Sequence, residues 1–97
     1  MIMQIVRFQS SLSLDEVQKI AQERSAEFQT VPGLLQKYYF RADEPGHYGG
    51  VYIWDSRQSL AAYQESNLAA SIPQAYKILG PPQVEIFEVA FSLRQQQ

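Results

Sequence analysis

Lys37 lies in the middle of a predicted strand whose two faces are both expected to be covered. Lys37, Tyr39 and Arg41 are spaced by two and therefore share one face of a predicted strand. An ammonium buried there without a partner would be costly enough to lower its pKa. Lys37 or Arg41 would then hold the anion of a substrate, such as a phenolate or an enolate. The alternative is structural: Lys37 pairs with Glu85 or Glu88 of another strand, or its charged head reaches solvent at the sheet edge.

Aromatic residues with the same two-residue spacing occupy the next predicted strand. Tyr52 and Trp54 share a face there with Gly50. If the hairpin register places this face beside that of Lys37 and Tyr39, one surface offers aromatic rings, a cation and the gap left by a glycine. Such a surface would suit a flat aromatic ligand, with Tyr39, Tyr52 and Trp54 as its walls. The register is open, and packing of the core and of a dimer interface explains the same residues equally well.

Three residues outside these strands would add imidazole or hydroxyl groups to such a site. His47, the one histidine of the chain, lies in the hairpin loop and would suit a mobile proton carrier near a pocket mouth. Simple exposure to solvent is the alternative for His47. Tyr63 and Tyr76 are expected to face the sheet from the helices, where their hydroxyls would serve a ligand or each other, or where the rings would only pack the core.

The sequence contains no pattern for a metal site or for a covalent nucleophile. It has no cysteine, and its three Asp and seven Glu are scattered without metal-ligand spacing. Neither a Gly-x-Ser-x-Gly elbow nor a phosphate-binding glycine loop occurs. We therefore predict no metal site.

Composition indicates one folded domain with neither a nucleic-acid partner nor a membrane partner. The 97 residues are 45% hydrophobic, which suits a single globular domain over residues 1–97. The net charge of −2 leaves no basic stripe to neutralise phosphates. The chain has no run of 18 apolar residues and no basic segment followed by a long apolar run. The expectation is a soluble, cytoplasmic protein.

The order of strands and helices predicts the fold. Strands are expected at 2–8, 34–41, 48–54 and 84–93. The first helix begins after Ser13, which fits a capping box with Glu16, and the second begins near Ser56 with a break at 66–67. The order βαββαβ predicts an α+β fold, in which a ferredoxin-like antiparallel sheet carries helices on one face.

The predicted sheet is apolar on both of its faces. Helices cover one face, yet the second, third and fourth strands carry apolar and aromatic residues on both. A soluble monomer rarely exposes so large an apolar surface. A homodimer whose two sheets pack face to face would cover it.

Several of these residues form a pattern that resembles a known family. The pattern consists of Pro32-Gly33-x-Leu35-x-Lys37, Gly49-Gly50-x-Tyr52-x-Trp54, Ser59 and Tyr63. It resembles the YdhR-like monooxygenases, a branch of the dimeric α+β barrel proteins. More distantly it is similar to the antibiotic-biosynthesis monooxygenases, in which a strand ending in Trp-x-Ser leads into the helix as Trp54-Asp55-Ser56 does here. The resemblance implies a dimer with a shared barrel and an apolar pocket between the helices and the sheet of each subunit.

The wider superfamily to which this resemblance points has diverse chemistry. It includes oxygenases that use neither flavin nor metal, haem-degrading enzymes, lactone isomerases and proteins with no known reaction. Haem-degrading relatives combine the strand Trp with a helix histidine and an asparagine on the first strand. Here the first strand has Gln4 and Arg7 instead, and no histidine lies between Ser56 and Leu79. The comparison disfavours haem, and we predict that the protein uses no cofactor.

The hypothesis that follows is a cofactor-independent monooxygenase acting on a small or polycyclic aromatic compound. The deprotonated substrate would itself deliver electrons to dioxygen, so the protein supplies shape, desolvation and stabilisation of the anion. The expected site comprises Lys37, Arg41 and His47 as catalytic groups, and Tyr39, Tyr52, Trp54, Tyr63 and Tyr76 as substrate-binding groups. The alternative is a non-catalytic small-molecule binding or stress-response protein on the same scaffold. A lactone isomerase would need an acid and base pair that the sequence does not place.

Overall fold

The computed structural model describes residues 1–94 and has the predicted order of elements. The strands are β1 (Ile2–Gln9), β2 (Leu34–Arg41), β3 (His47–Trp54) and β4 (Gln83–Glu88), and the helices are α1 (Leu14–Gln29), α2 (Arg57–Gln64) and α3 (Asn67–Ala75). The strands form one antiparallel sheet in the order β2-β3-β1-β4. The α+β, ferredoxin-like fold predicted from the sequence is confirmed, and the second helix is divided into α2 and α3.

The last strand is shorter than predicted. Its alternating apolar pattern indicated a strand as far as Leu93, but β4 ends at Glu88. Glu88 pairs with Ile2, the first residue of β1, and one further hydrogen bond joins the Val89 N–H to the Met1 carbonyl at 2.9 Å. Since β1 has no more backbone to pair with, the chain leaves the sheet there.

The helices begin at serine caps. Ser13, Ser56 and Ser66 precede α1, α2 and α3, and each hydroxyl accepts a hydrogen bond from the N–H three residues on. Ser13 and Glu16 form the predicted capping box, with the Ser13 N–H donating to Glu16 Oε1 at 2.9 Å. None of the helices in residues 1–94 is long and apolar enough to span a bilayer.

The helices cover one face of the sheet and bury two groups of side chains against it. The larger group consists of Ile2, Phe28, Tyr52, Trp54, Leu60 and Tyr63. The smaller group consists of Val17, Tyr48 and Tyr76. Burial of a large apolar side chain contributes about 1.5–3 kcal/mol, so these two groups are the main source of folding free energy.

The other face of the sheet carries two apolar rows that no helix covers. One row contains Tyr38, Val51 and Ile5, and the other contains Ile53, Met3 and Phe87. Tyr38 is 53% exposed and Phe87 is 47% exposed. The two-sided apolar sheet expected from the sequence is therefore present in this fold.

A tight turn joins α1 to β2 and contacts the start of α2. Gly33 in this turn has a φ of +80°, and its carbonyl accepts a hydrogen bond from the Asp55 N–H at 2.9 Å. A Cβ on Gly33 would lie 2.1 Å from Ser59 Oγ. Hydrogen bonds from the Ser59 and Ser56 hydroxyls to Asp55 hold the pKa of that carboxyl below its usual range. The turn therefore requires glycine for both conformational and steric reasons.

We expect Gly33→Ala to lower the free energy of unfolding by about 2–4 kcal/mol, because alanine is strained at positive φ and collides with Ser59. Gly80→Ala is the matched control, since Gly80 has a φ of +75° but a Cβ there would have no neighbour within 4 Å. The control should lose only about 1 kcal/mol. Urea denaturation measures both losses, and equal losses would show that the contact with Ser59 contributes nothing.

Candidate functional site

A cavity of about 360 Å³ lies between the helices and the sheet. Its walls come from α1 and α3 on one side and from β1, β2 and β3 on the other, and they include members of both buried groups. The lining residues that bear on chemistry are Lys37, Tyr39, Arg41, Gly50, Tyr52 and Tyr76. Ligand pockets usually measure about 300–1,000 Å³, so this cavity is suited to a small organic ligand.

The hairpin register places the predicted residues of β2 and β3 on the same face. The cross-strand pairs are Lys37 with Tyr52, Tyr39 with Gly50, and Arg41 with Tyr48. The register shifts between Leu34 and Gln36, where β2 is irregular. The cation, the tyrosine rings and the glycine gap therefore share one surface, which faces the helices and lines the cavity.

The amino group of Lys37 lies among three aromatic rings. Its Nζ is 3.5 Å from the centroid of the Phe28 ring, 4.4 Å from that of Tyr39 and 4.6 Å from that of Tyr52. Burial, assisted by the nearby positive charge of Arg24, lowers the pKa of Lys37 to about 7. Near neutral pH the side chain is therefore divided between the ammonium form, which the rings stabilise, and the free amine.

No carboxylate neutralises Lys37 in the part of the chain that the structure describes. Glu85 forms an ion pair with Arg7, and Glu88 Oε2 lies 4.0 Å from Arg57 Nη2. The structural alternative that pairs Lys37 with Glu85 or Glu88 is therefore wrong.

None of the acidic residues in 1–94 lines the cavity, and none belongs to a group of three potential metal ligands. The cavity is consequently more favourable for an anion than for a cation.

Tyr76 lines the same cavity and has a buried hydroxyl. Its side chain is 4% exposed, and its Oη has no hydrogen-bond partner among residues 1–94. Burial raises the pKa of Tyr76 to about 12 and also raises the pKa of Tyr39 and of Tyr52. These side chains therefore remain phenols at neutral pH, and the Tyr76 hydroxyl keeps a hydrogen-bond donor that no described residue uses.

Trp54 and Tyr63 lie behind the cavity wall rather than in it. Trp54 is 0% exposed, and its ring is stacked on that of Tyr52 at 6.1 Å with an interplanar angle of 3°. Its Nε1–H donates to Gln4 Oε1 at 3.0 Å. The centroid of the Tyr63 ring lies 5.1 Å from that of the Trp54 ring and 5.7 Å from that of the Tyr52 ring. The structure thus places both predicted substrate-binding residues in the core, where they support the Tyr52 ring.

The two other predicted catalytic residues lie at the hairpin end of the sheet. Arg41 lines the cavity, although its side chain is exposed. His47 is outside the cavity lining, and its Nε2 is 3.6 Å from Glu44 Oε2 in the hairpin loop. The structure therefore places Arg41 in the same cavity as Lys37 but does not bring His47 to it.

Two residues of α1 that were not among the predicted site residues complete the surroundings of Lys37. Phe28 provides the ring nearest to the amine. Arg24 donates from Nη2 to the Ser71 hydroxyl of α3, while its Nε is buried without a partner among the described residues. A cation on the apolar stripe of α1 was the one signal in the sequence that could have identified Arg24.

Known structures share this fold at low sequence identity. The protein NE2512 of unknown function from Nitrosomonas europaea has a TM-score of 0.78 and 14% identity, over 99% of this chain and 95% of that chain. SnoaB, a cofactor-independent oxygenase from Streptomyces nogalater, has a TM-score of 0.76 and 14% identity, over 97% of each chain. An antibiotic biosynthesis monooxygenase has a TM-score of 0.74 and 17% identity, over 93% of this chain and 99% of that chain. At these identities the similarity shows the fold alone.

The sequence comparisons give the family. No curated protein matches this sequence. A family model described as "Putative mono-oxygenase ydhR" matches residues 2–95, which is nearly the whole chain. This match agrees with the resemblance seen in the sequence pattern that contains Lys37 and Trp54. The protein therefore belongs to the ydhR mono-oxygenase family.

Proposed function

We propose that this protein is a cofactor-independent monooxygenase that acts on a small aromatic compound bound beside Lys37. The observation that supports it most is Lys37, whose side chain lines a cavity and whose amine has aromatic rings around it and no counter-ion among residues 1–94. Membership of the ydhR family and the fold shared with SnoaB agree with this activity. A cavity of about 360 Å³ favours a small aromatic substrate over a large polycyclic one.

In this proposal Lys37 acts as the base. The neutral amine takes a proton from an acidic O–H or C–H of the substrate, and the ammonium that results neutralises the new anion. The rings of Phe28, Tyr39 and Tyr52 stabilise that ammonium. A base is most effective when its pKa lies near the working pH, as it does for Lys37. Lys37 thus takes the role that the sequence suggested for His47.

The substrate anion supplies the electrons for oxygen. For a substrate with an acidic CH₂ group, the carbanion reduces dioxygen and combines with it to form a peroxide on the same carbon. The Lys37 ammonium returns the proton, and loss of water leaves a carbonyl group. One oxygen atom stays in the product and the other leaves as water, so the reaction requires no further reductant. Tyr76 can hold the developing oxygen by a hydrogen bond.

Oxygen consumption with a panel of hydroquinols and anthrone-like compounds tests this function. We expect uptake of one dioxygen per product carbonyl formed, without added flavin or metal. Compounds with a cationic group should not bind, because the cavity already contains the charges of Lys37 and Arg41. Tight binding of several compounds without any oxygen uptake would favour the alternative of a small-molecule binding protein.

The space beside Gly50 provides a test of where the substrate lies. Gly50 lines the cavity, and a Cβ on it would lie 3.3 Å from Tyr52 Cε1, 3.4 Å from the Tyr38 carbonyl oxygen and 3.5 Å from Lys37 Cε. We expect Gly50→Ala to raise KM about tenfold or more, by the usual effect of one methyl group in a pocket. The free energy of unfolding should change by less than about 1 kcal/mol. An unchanged KM would place the substrate elsewhere.

We also propose that the uncovered sheet face is the interface of a homodimer. No helix covers its two apolar rows, and a second copy of the same face is complementary in chemistry. Light scattering after size exclusion should give twice the 11.1 kDa mass of the chain. Val51→Lys, at the centre of one row, should give a folded monomer. Lys19→Met, on the exposed side of α1, is the control and should remain a dimer. A monomeric wild-type protein at micromolar concentration would contradict this assembly.

A further inference from the structure

We propose that Lys37 also captures aromatic aldehydes and ketones covalently and reversibly, through an imine between its Nζ and the carbonyl carbon. This activity goes beyond the proposed oxygenation, since it uses the amine as a nucleophile and consumes no dioxygen. It assigns to the cavity a second class of ligand, namely small aromatic carbonyl compounds.

The surroundings of Lys37 are those that make a lysine nucleophilic. An amine attacks a carbonyl only in its neutral form, which desolvation and a neighbouring cation both favour. The Lys37 side chain lines the cavity, its amine lies against the Phe28 ring, and the positive charge of Arg24 disfavours its protonation further. No described carboxylate offsets these two effects.

The reaction balances with groups that the cavity already contains. The Nζ lone pair forms a bond to the carbonyl carbon, and the carbonyl π electrons move to the oxygen. The two hydrogens of the amine and the carbonyl oxygen then leave as water, so no oxidation state changes and no co-reactant is needed. Tyr76 lines the same cavity, and its buried hydroxyl, which has no partner among residues 1–94, would donate to the carbonyl oxygen once a ligand reaches it. The protonated imine would keep its positive charge beside Phe28 and Tyr52.

The chain provides its own controls for this reaction. It contains three lysines, and of these Lys37 alone lines the cavity, while Lys19 and Lys77 are exposed. At pH 7 about half of Lys37 is neutral, whereas an ordinary lysine with a pKa of about 10.4 is neutral in fewer than about one molecule in a thousand. A less basic amine is a weaker nucleophile, so the advantage in rate is smaller than this ratio. We expect Lys37 to react at least about tenfold faster than the exposed lysines.

The experiment uses benzaldehyde and naphthaldehyde as probes at pH 7 under nitrogen, followed by cyanoborohydride reduction and peptide mass spectrometry. The expected label is on Lys37, at least about tenfold above Lys19 and Lys77, with the amino terminus scored separately. Dilution before reduction should remove the label, and unfolding in urea should abolish the preference. Lys37→Arg should lose this label and leave the other two unchanged. Equal labelling of the three lysines in the folded wild-type protein would overturn the proposal.

This experiment, combined with the oxygen-uptake assay, separates this inference from the proposed oxygenase function. Labelling of Lys37 in a protein that consumes no oxygen with any substrate would support imine formation and reject the oxygenase. Oxygen uptake in a protein whose three lysines label equally would support the oxygenase and reject imine formation.

Discussion

Lys37→Met should lower kcat/KM for oxygen uptake by about 10²–10⁴-fold with every substrate that the wild-type enzyme accepts, which is the usual contribution of a general base. Methionine fills a similar volume among the rings of Phe28, Tyr39 and Tyr52 but can neither accept a proton nor neutralise an anion. The pH profile of the wild-type enzyme should rise through about pH 7, as Lys37 loses its proton. Retention of full kcat/KM in Lys37→Met would remove Lys37 from the reaction.

The same substitution should stabilise the fold at low pH, because Lys37 is less basic in the fold than in the unfolded chain. Its pKa is about 7 in the native state against about 10.4 for a solvated lysine, so the unfolded state binds more protons between these values. Below pH 7, burial of the charged Lys37 therefore lowers the free energy of unfolding of the wild-type protein by its full amount. This destabilisation disappears as the pH rises towards 10. At pH 6 we expect Lys37→Met to raise the free energy of unfolding by about 2–4 kcal/mol.

Urea denaturation at pH 6 and pH 9 measures this effect. The free energy of unfolding of Lys37→Met should exceed that of the wild-type protein by more at pH 6 than at pH 9. Lys19→Met, which changes an exposed lysine, is the control and should stay within about 0.5 kcal/mol of the wild-type protein at both pH values. A loss of stability at pH 6 in Lys37→Met would mean that the ammonium has a favourable partner in the fold.

Trp54→Ala should lower the free energy of unfolding by about 3–5 kcal/mol, because it empties the most buried part of the larger core group. Trp54→Phe keeps most of the packing against Tyr52 but leaves Gln4 Oε1 without its donor, which costs about 1–3 kcal/mol. Leu35→Ala, at a side chain that is 58% exposed, is the control and should lose less than about 1 kcal/mol. Urea denaturation measures all three.

The Trp54 variants also distinguish a core residue from a pocket wall. Because Trp54 lies behind Tyr52, its variants should affect ligand binding only as far as they destabilise or loosen the Tyr52 ring. A Trp54→Phe protein with wild-type stability and no ligand binding would instead support the pocket-wall role expected from the sequence.

The strand faces were predictable because a period of two depends on the chain alone. That period correctly grouped Lys37 with Tyr39, and Tyr52 with Trp54. The register between the two strands was not predictable, since in a hairpin it depends on the conformation of the loop between Arg41 and His47, which the sequence does not reveal. The capping box at Ser13 was predictable because it is local.

The depth of a residue under the helices could not be read from the sequence. Trp54 and Tyr52 share a face, but Trp54 lies beneath Tyr63 whereas Tyr52 borders the cavity. Arg24 presented the same difficulty, because the position of α1 over the sheet decides which strand residue a helix residue meets. The end of β4 depended on its partner, since pairing stops where β1 begins.

Titration of the three lysine side chains by NMR, with ¹³C at the ε position, tests most directly whether Lys37 is an unpaired, desolvated amine. The structure predicts that one of the three signals titrates near pH 7 and that this signal is missing from Lys37→Arg. Three signals that all titrate above pH 10 would show that the amine is hydrated or paired with a carboxylate, and would contradict the role assigned to Lys37.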